Sequence, residues 1–143
     1  MAQRKLGFRL EIEDDWPPAA VEWIWCEEIG DRFQIKNVPF FAKGIAFGDL
    51  ISAQLDDENL IDAWSMVATS GDSTIWIIRV GASDIVERLH VLGCGYETMK
   101  QWPNYITLNV PMHLDMKAVL SVIDAAVTDG EIEAVYPALR REE

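Results

Sequence analysis

Residues 73 to 139 constrain this chain most, because their apolar spacing spells strand, helix, strand, strand, helix, strand. Ser73-Thr-Ile-Trp-Ile-Ile-Arg-Val80 is rich in β-branched and aromatic residues and too short for a globular helix, so it reads as a strand that Gly81 breaks. Asp84 and Glu87 have the spacing of a capping box. Ile85, Val86, Leu89 and Leu92 follow at helical intervals until Gly93 supplies a left-handed stop, which predicts a helix of about three turns. Cys94 to Lys100 and Tyr105 to Val110 flank the turn cluster Trp-Pro-Asn, the pattern of an antiparallel hairpin. Asp115 caps a second predicted helix with Met116, Val119, Leu120, Ile123 and Val127 on one face, and Gly130 ends it. Ile132 to Leu139 is the last strand, placed at a sheet edge by Pro137.

This order predicts an α+β fold whose second half is a ferredoxin-like βαββαβ unit, an antiparallel sheet with both helices on one face and right-handed crossovers. In its first strand Ile75 and Ile77 alternate with Trp76 and Ile78, so both faces are apolar and both call for cover. Helices supply one side only. The N-terminal half or a second subunit is expected on the other.

The N-terminal half reads as strand. Leu6, Phe8, Leu10 and Ile12 alternate with polar neighbours, and Trp16-Pro-Pro ends that run. Val21, Trp23 and Trp25 share one side of the next strand; Gly30-Asp31 turns the chain into a return strand carrying Phe33 and Ile35. Leu50 to Leu55 and Leu60 to Ala68 pair through Asp56-Asp-Glu-Asn59. Residues 37 to 49 are irregular but apolar and are expected to pack across one end, with Phe40 or Phe41 as a core anchor. The expectation is a curved sheet or partial barrel over 1–72, followed by the ferredoxin-like half over 73–143, the two packed as one compact domain.

At 143 residues such a chain buries roughly 70% of its unfolded surface without staples. A hydrophobic fraction of 50% with six tryptophans reads as a well-packed core. Two cysteines are too few for a disulfide framework, and the N-terminal residues run into an alternating strand rather than a signal-type apolar segment, so a cytoplasmic protein is expected. No run approaches membrane-spanning length. The formal net charge of −12 repels phosphate backbones and argues against nucleic acid; it favours solubility or a basic protein partner.

Candidate chemistry is sparse. His90 and His113 have no carboxylate at metal-ligand spacing, so neither a metal nor a cofactor is expected. Cys26, followed by Glu27 and Glu28, and Cys94, between Gly93 and Gly95, read as structural thiols rather than nucleophiles. Gly44 and Gly48 lack the strand-before, helix-after context of a phosphate loop and are assigned to turns. Asp56, Asp57 and Glu58 lack calcium-loop spacing and read as a solvated hairpin tip, the best candidate for partner binding.

The run Val38-Pro-Phe-Phe-Ala-Lys-Gly-Ile-Ala-Phe-Gly-Asp49, with Trp16-Pro-Pro, Val21-Glu-Trp23, Ser73-Thr-Ile75, Leu92-Gly-Cys-Gly-Tyr96, Asp129-Gly-Glu-Ile-Glu133 and Ala138-Leu-Arg140, resembles the bacterial family known as domain of unknown function 4265. The resemblance spans nearly the whole chain and brings no catalytic residue with it. Ala134-Val-Tyr-Pro137 departs from it where further acidic residues are expected. The functional expectation is a non-enzymatic acidic protein that binds a more basic protein, such as a toxin met by an immunity protein or antitoxin. The alternative is a small-ligand-sensing regulatory domain, on fold analogy. Oligomeric state does not follow from the sequence.

Overall fold

The computed structural model describes residues 2–140, and the chain divides into two compact units, Met1–Ser70 and Gly71–Glu143. Residues 1 and 141–143, included in the predicted halves, lie outside the described residues.

The first unit is an antiparallel meander of β1 (Gln3–Arg9), β2 (Val21–Ile29), β3 (Arg32–Ile35), β4 (Leu50–Leu55) and β5 (Ile61–Ala68), paired in chain order. The sheet curls until its two ends meet: Gly7 of β1 forms a parallel bridge with Leu60, and its N–H donates to the Asn59 carbonyl at 2.9 Å. The curl encloses Leu6, Phe8, Ile24, Cys26, Phe33, Ile35, Ile51 and Ile61 in one cluster. Gly30, at φ 64°, makes the β2–β3 turn as expected. The first strand does not extend to Ile12, which is 51% exposed. A tight hairpin takes over there: Glu13 and Trp16 exchange backbone hydrogen bonds of 2.9 and 3.0 Å around Asp14 and Asp15, both at positive φ.

In the second unit β6 (Ser73–Arg79), β7 (Gly95–Thr98), β8 (Tyr105–Val110) and β9 (Ile132–Ala138) form an antiparallel sheet in the order β7-β8-β6-β9. β9 with Pro137 is an edge strand, as its proline requires. Helix α1 (Ile85–Leu92) and helix α2 (Met116–Thr128) bury Ile85, Val86, Leu89, Met116, Val119 and Ile123 against Ile75, Ile77, Ile106 and Leu108. On the opposite face Trp76 is only 5% exposed, and its ring lies 6.3 Å from that of Tyr105.

Several local expectations change. α1 has eight residues, about two turns rather than three. Asp84 makes no side-chain cap; it pairs with Arg88 at 2.8 Å, and the Ile85 N–H donates to the Ser83 hydroxyl instead. The helices are rolled so that Leu92 and Val127 are left 40% and 42% exposed, with Ala126 buried alongside the expected Val86. Gly93 does hold a left-handed φ of 116°, and Asp115 does cap α2, accepting from the Lys117 N–H at 3.0 Å.

Ile77→Ala, at a fully buried position, is expected to cost about 2–5 kcal/mol, with Leu92→Ala costing about 1 kcal/mol or less. Urea unfolding of the two variants checks this; equal losses would refute the assigned helix roll.

Candidate functional site

Tryptophan is where the molecule departs most from an ordinary core. Of its six tryptophans only Trp76 is buried; Trp16, Trp23, Trp25, Trp64 and Trp102 are each more than a third exposed. The antiparallel register of β1 and β2 explains two of them. Leu6 faces Ile24 on the enclosed side of the sheet, whereas Gly7 faces Trp23 and Lys5 faces Trp25 on the outer side. Trp23 and Trp25, 46% and 43% exposed, therefore stand side by side on the outer face, about 6.8 Å apart along the strand. The Lys5 ammonium sits 5.3 Å from the centre of the Trp25 ring, covering part of it.

Gly7 joins this face to the hairpin tip. A Cβ at Gly7 would lie 2.7 Å from Leu60 Cδ2 and 3.0 Å from Trp23 Cη2 and Cζ3, so only glycine lets both side chains close over β1. Arg9 reinforces the join: its Nε donates to the Ile61 carbonyl at 3.1 Å, and its Nη2 lies 3.5 Å from Asp62 and 3.6 Å from Asp56.

The three carboxylates proposed from sequence are not equivalent. Asp56 organises the turn, its Oδ1 accepting from the Glu58 N–H at 2.8 Å and the Leu60 N–H at 2.9 Å. Asp57 and Glu58 are exposed. The turn that carries them ends at Leu60, which lies with the Trp23 ring over Gly7.

The apolar stretch between β3 and β4 is organised by buried or half-buried carboxylates. Glu22 accepts the backbone N–H groups of Phe40, Phe41 and Ala42 at 2.6, 2.9 and 2.8 Å. Asp49, fully buried, accepts from Ala46 at 2.8 Å and Ser70 at 2.9 Å. Held this way, the stretch sends Ala42 and Ile45 into the enclosed cluster. Phe40 and Phe41 are only half-buried, with Trp16 edge-on to Phe41 at 5.5 Å, so neither is the core anchor expected from sequence.

The remaining candidates are structural. Burial alone pushes the Cys26 thiol up to about 12 and the Cys94 thiol to about 11, which makes both poor nucleophiles at neutral pH. His90 places Nδ1 3.0 Å from the Cys94 carbonyl and its ring edge-on to Tyr96, while His113 is exposed. Gly44 and Gly48, at φ 82° and 88°, occupy turns. Among the described residues no group of three or more histidine, cysteine, aspartate or glutamate side chains could hold a metal ion, and no helix is long and apolar enough to cross a membrane.

The charge run of the tip is visible in the sequence, whereas the exposure of Trp23 and Trp25 is not. In Glu22-Trp-Ile-Trp-Cys26 both alternations are largely apolar, so period two cannot choose the buried one. The usable signal was across the sheet, in the glycine and lysine of β1 that oppose the two tryptophans.

The chain belongs to the family described as Domain of unknown function (DUF4265), whose pattern matches residues 22–134. The match takes in Glu22, both outer tryptophans, the 38–49 stretch and the tip, and leaves out Trp16-Pro-Pro and Ala138-Leu-Arg140. A crystal structure of a hypothetical protein from Neisseria gonorrhoeae shares the fold, with a TM-score of 0.81, 17% identity and 99% of each chain covered. No curated protein matches the chain.

Glu22→Ala removes the acceptor of three backbone N–H groups and is expected to cost about 2–4 kcal/mol, with Glu22→Gln intermediate, measured by urea unfolding. Neither thiol should react with iodoacetamide in the folded protein at pH 8, and both should in urea. Each folded thiol ionises above the ordinary 9.0, so the unfolded chain loses its protons first. Stability should therefore be intact below pH 9.0 and fall as pH rises toward 11 and 12. A melting temperature flat across that window would contradict it.

Proposed function

We propose that this protein is a non-enzymatic binding protein whose partner is a more basic protein, and that an immunity protein or antitoxin covering a toxin's basic site is the form this takes. The observation that carries the reading is the outer pair Trp23 and Trp25, 46% and 43% exposed on a rigid strand. An exposed tryptophan leaves a large apolar area in water, and tryptophan is the residue most enriched where interfaces concentrate their binding energy. Its ring also accepts a cation on its face. Lys5 already uses Trp25 this way, and Trp23, two residues along the same face, offers an incoming arginine or lysine a second exposed ring.

Charge supports the basic partner. The net charge of −12 draws cationic surfaces in, and the exposed Asp57 and Glu58 belong to the turn whose last residue, Leu60, reaches the Trp23 ring over Gly7. The strand order of residues 71–143, with both helices contributing to one core cluster, supports the ferredoxin-like arrangement for that half. A cytoplasmic location agrees with two free, buried cysteines. Their raised pKa values weigh against thiol catalysis.

Affinity capture from lysate tests the reading, comparing the parent with Trp23→Ala/Trp25→Ala and with Asp57→Lys/Glu58→Lys. The parent should retain a basic protein, the tryptophan variant should lose about 2 kcal/mol or more of affinity, and the charge reversal should slow association and flatten its salt dependence. Asp56 is kept, since its replacement would disrupt the turn itself. Capture unaffected by the tryptophan variant would overturn the reading. A small metabolite that raises the melting temperature, with no protein retained, would transfer it to the ligand-sensing class.

A further inference from the structure

The two sheets have four edge strands, β1, β5, β7 and β9, and three carry the features that keep edges from pairing. β1 has Arg4, Lys5 and Arg9; β7 is four residues long and carries Glu97; β9 carries Glu133 and Pro137. β5 differs. It is eight residues long, and the chain from Ala63 to Gly71 has no charged residue and no proline. Its backbone pairing with β1 is the bridge at Leu60, just before its first residue, and the side-chain contacts are those of Arg9 with Ile61 and Asp62 and of Phe8 with one edge of Trp64 at 6.2 Å. Among the described residues no other strand pairs with its open side. Ala63 to Met66 is in regular register with Gln54 to Ile51, between two register shifts, so alternate residues there turn their N–H and C=O groups outward. Trp64 and Val67, 37% and 36% exposed, add apolar surface along the same strand.

We propose that the open edge of β5 takes up an extended, basic segment of the partner protein as an added strand. This rests on the reading of the protein as a binder of a basic partner and specifies how that partner is held. Main-chain hydrogen bonds to the outward groups supply the affinity, and apolar side chains of the segment pack on Trp64 or Val67 according to the face they lie on. Charge selects the occupant. Asp62 is the second residue of β5, and the exposed Asp57 and Glu58 lie in the turn before the strand, so lysines or arginines flanking the added strand meet carboxylates. A second copy of this chain brings the same net charge of −12 and is repelled.

The test is amide hydrogen exchange on the full-length protein, titrated with a blocked hexapeptide of alternating lysine and valine and with its glutamate–valine counterpart. The lysine peptide should raise protection of alternate amides between Ala63 and Ala68 about tenfold, the glutamate peptide should have no effect, and Ala63→Lys/Val67→Lys should abolish the gain. Unchanged melting temperature in that variant shows that it folds. Protection that rises with protein concentration alone would overturn the proposal in favour of self-pairing. Perturbation confined to Trp23, Trp25 and the tip would overturn strand addition and leave the basic-partner reading standing. Equal responses to both peptides would overturn both.

Discussion

The approach of β5 to β1 at Gly7 is the constraint on which the first unit depends. A five-stranded meander has two open ends, and bringing them together needs a strand position with no side chain in the way. Gly7 provides it, and the Gly7–Asn59 hydrogen bond and the Arg9 contacts with Ile61, Asp62 and Asp56 hold the junction. The curl that results decides which alternation of β2 is enclosed. Ile24 and Cys26 go in, and Trp23 and Trp25 are left outside.

The proposed binding surface rests on that sorting. A curved sheet of this size encloses only one set of side chains, and the tryptophans on the other face stay wet at a cost that a partner can recover. The same junction sets Leu60 against Trp23, so the end of the acidic turn, the aromatic face and the start of β5 meet there. The Glu22 carboxylate, which projects from the enclosed side of the same strand, fixes the 40–42 backbone instead. One strand thus serves the core and the surface through alternate residues.

Much of the fold was legible because it rests on local chemistry. Gly30, Gly93, Asp115 and Pro137 act as their residue types demand, and the β7–β8 hairpin forms where its turn cluster lies. What failed depends on tertiary arrangement. The roll of the two helices left Leu92 and Val127 exposed and buried Ala126, and an ion pair to Arg88 drew Asp84 away from capping. The hairpin around Asp14 and Asp15 uses two aspartates at positive φ where Asn-Gly is the usual signal, so the end of β1 was misplaced. Of the candidate site, the acidic tip stood out as a charge run. The tryptophan face did not, because high aromatic content reads as core until the register of β1 against β2 is known.

The claim that Trp23 and Trp25 form the binding surface is tested most directly by fluorine NMR of the protein labelled with 5-fluorotryptophan, with resonances assigned by single replacement. On addition of the basic protein retained by affinity capture, the Trp23 and Trp25 resonances should shift or broaden while that of buried Trp76 stays fixed. Shifts confined to other tryptophans, with Trp23 and Trp25 unmoved at saturation, would contradict the account.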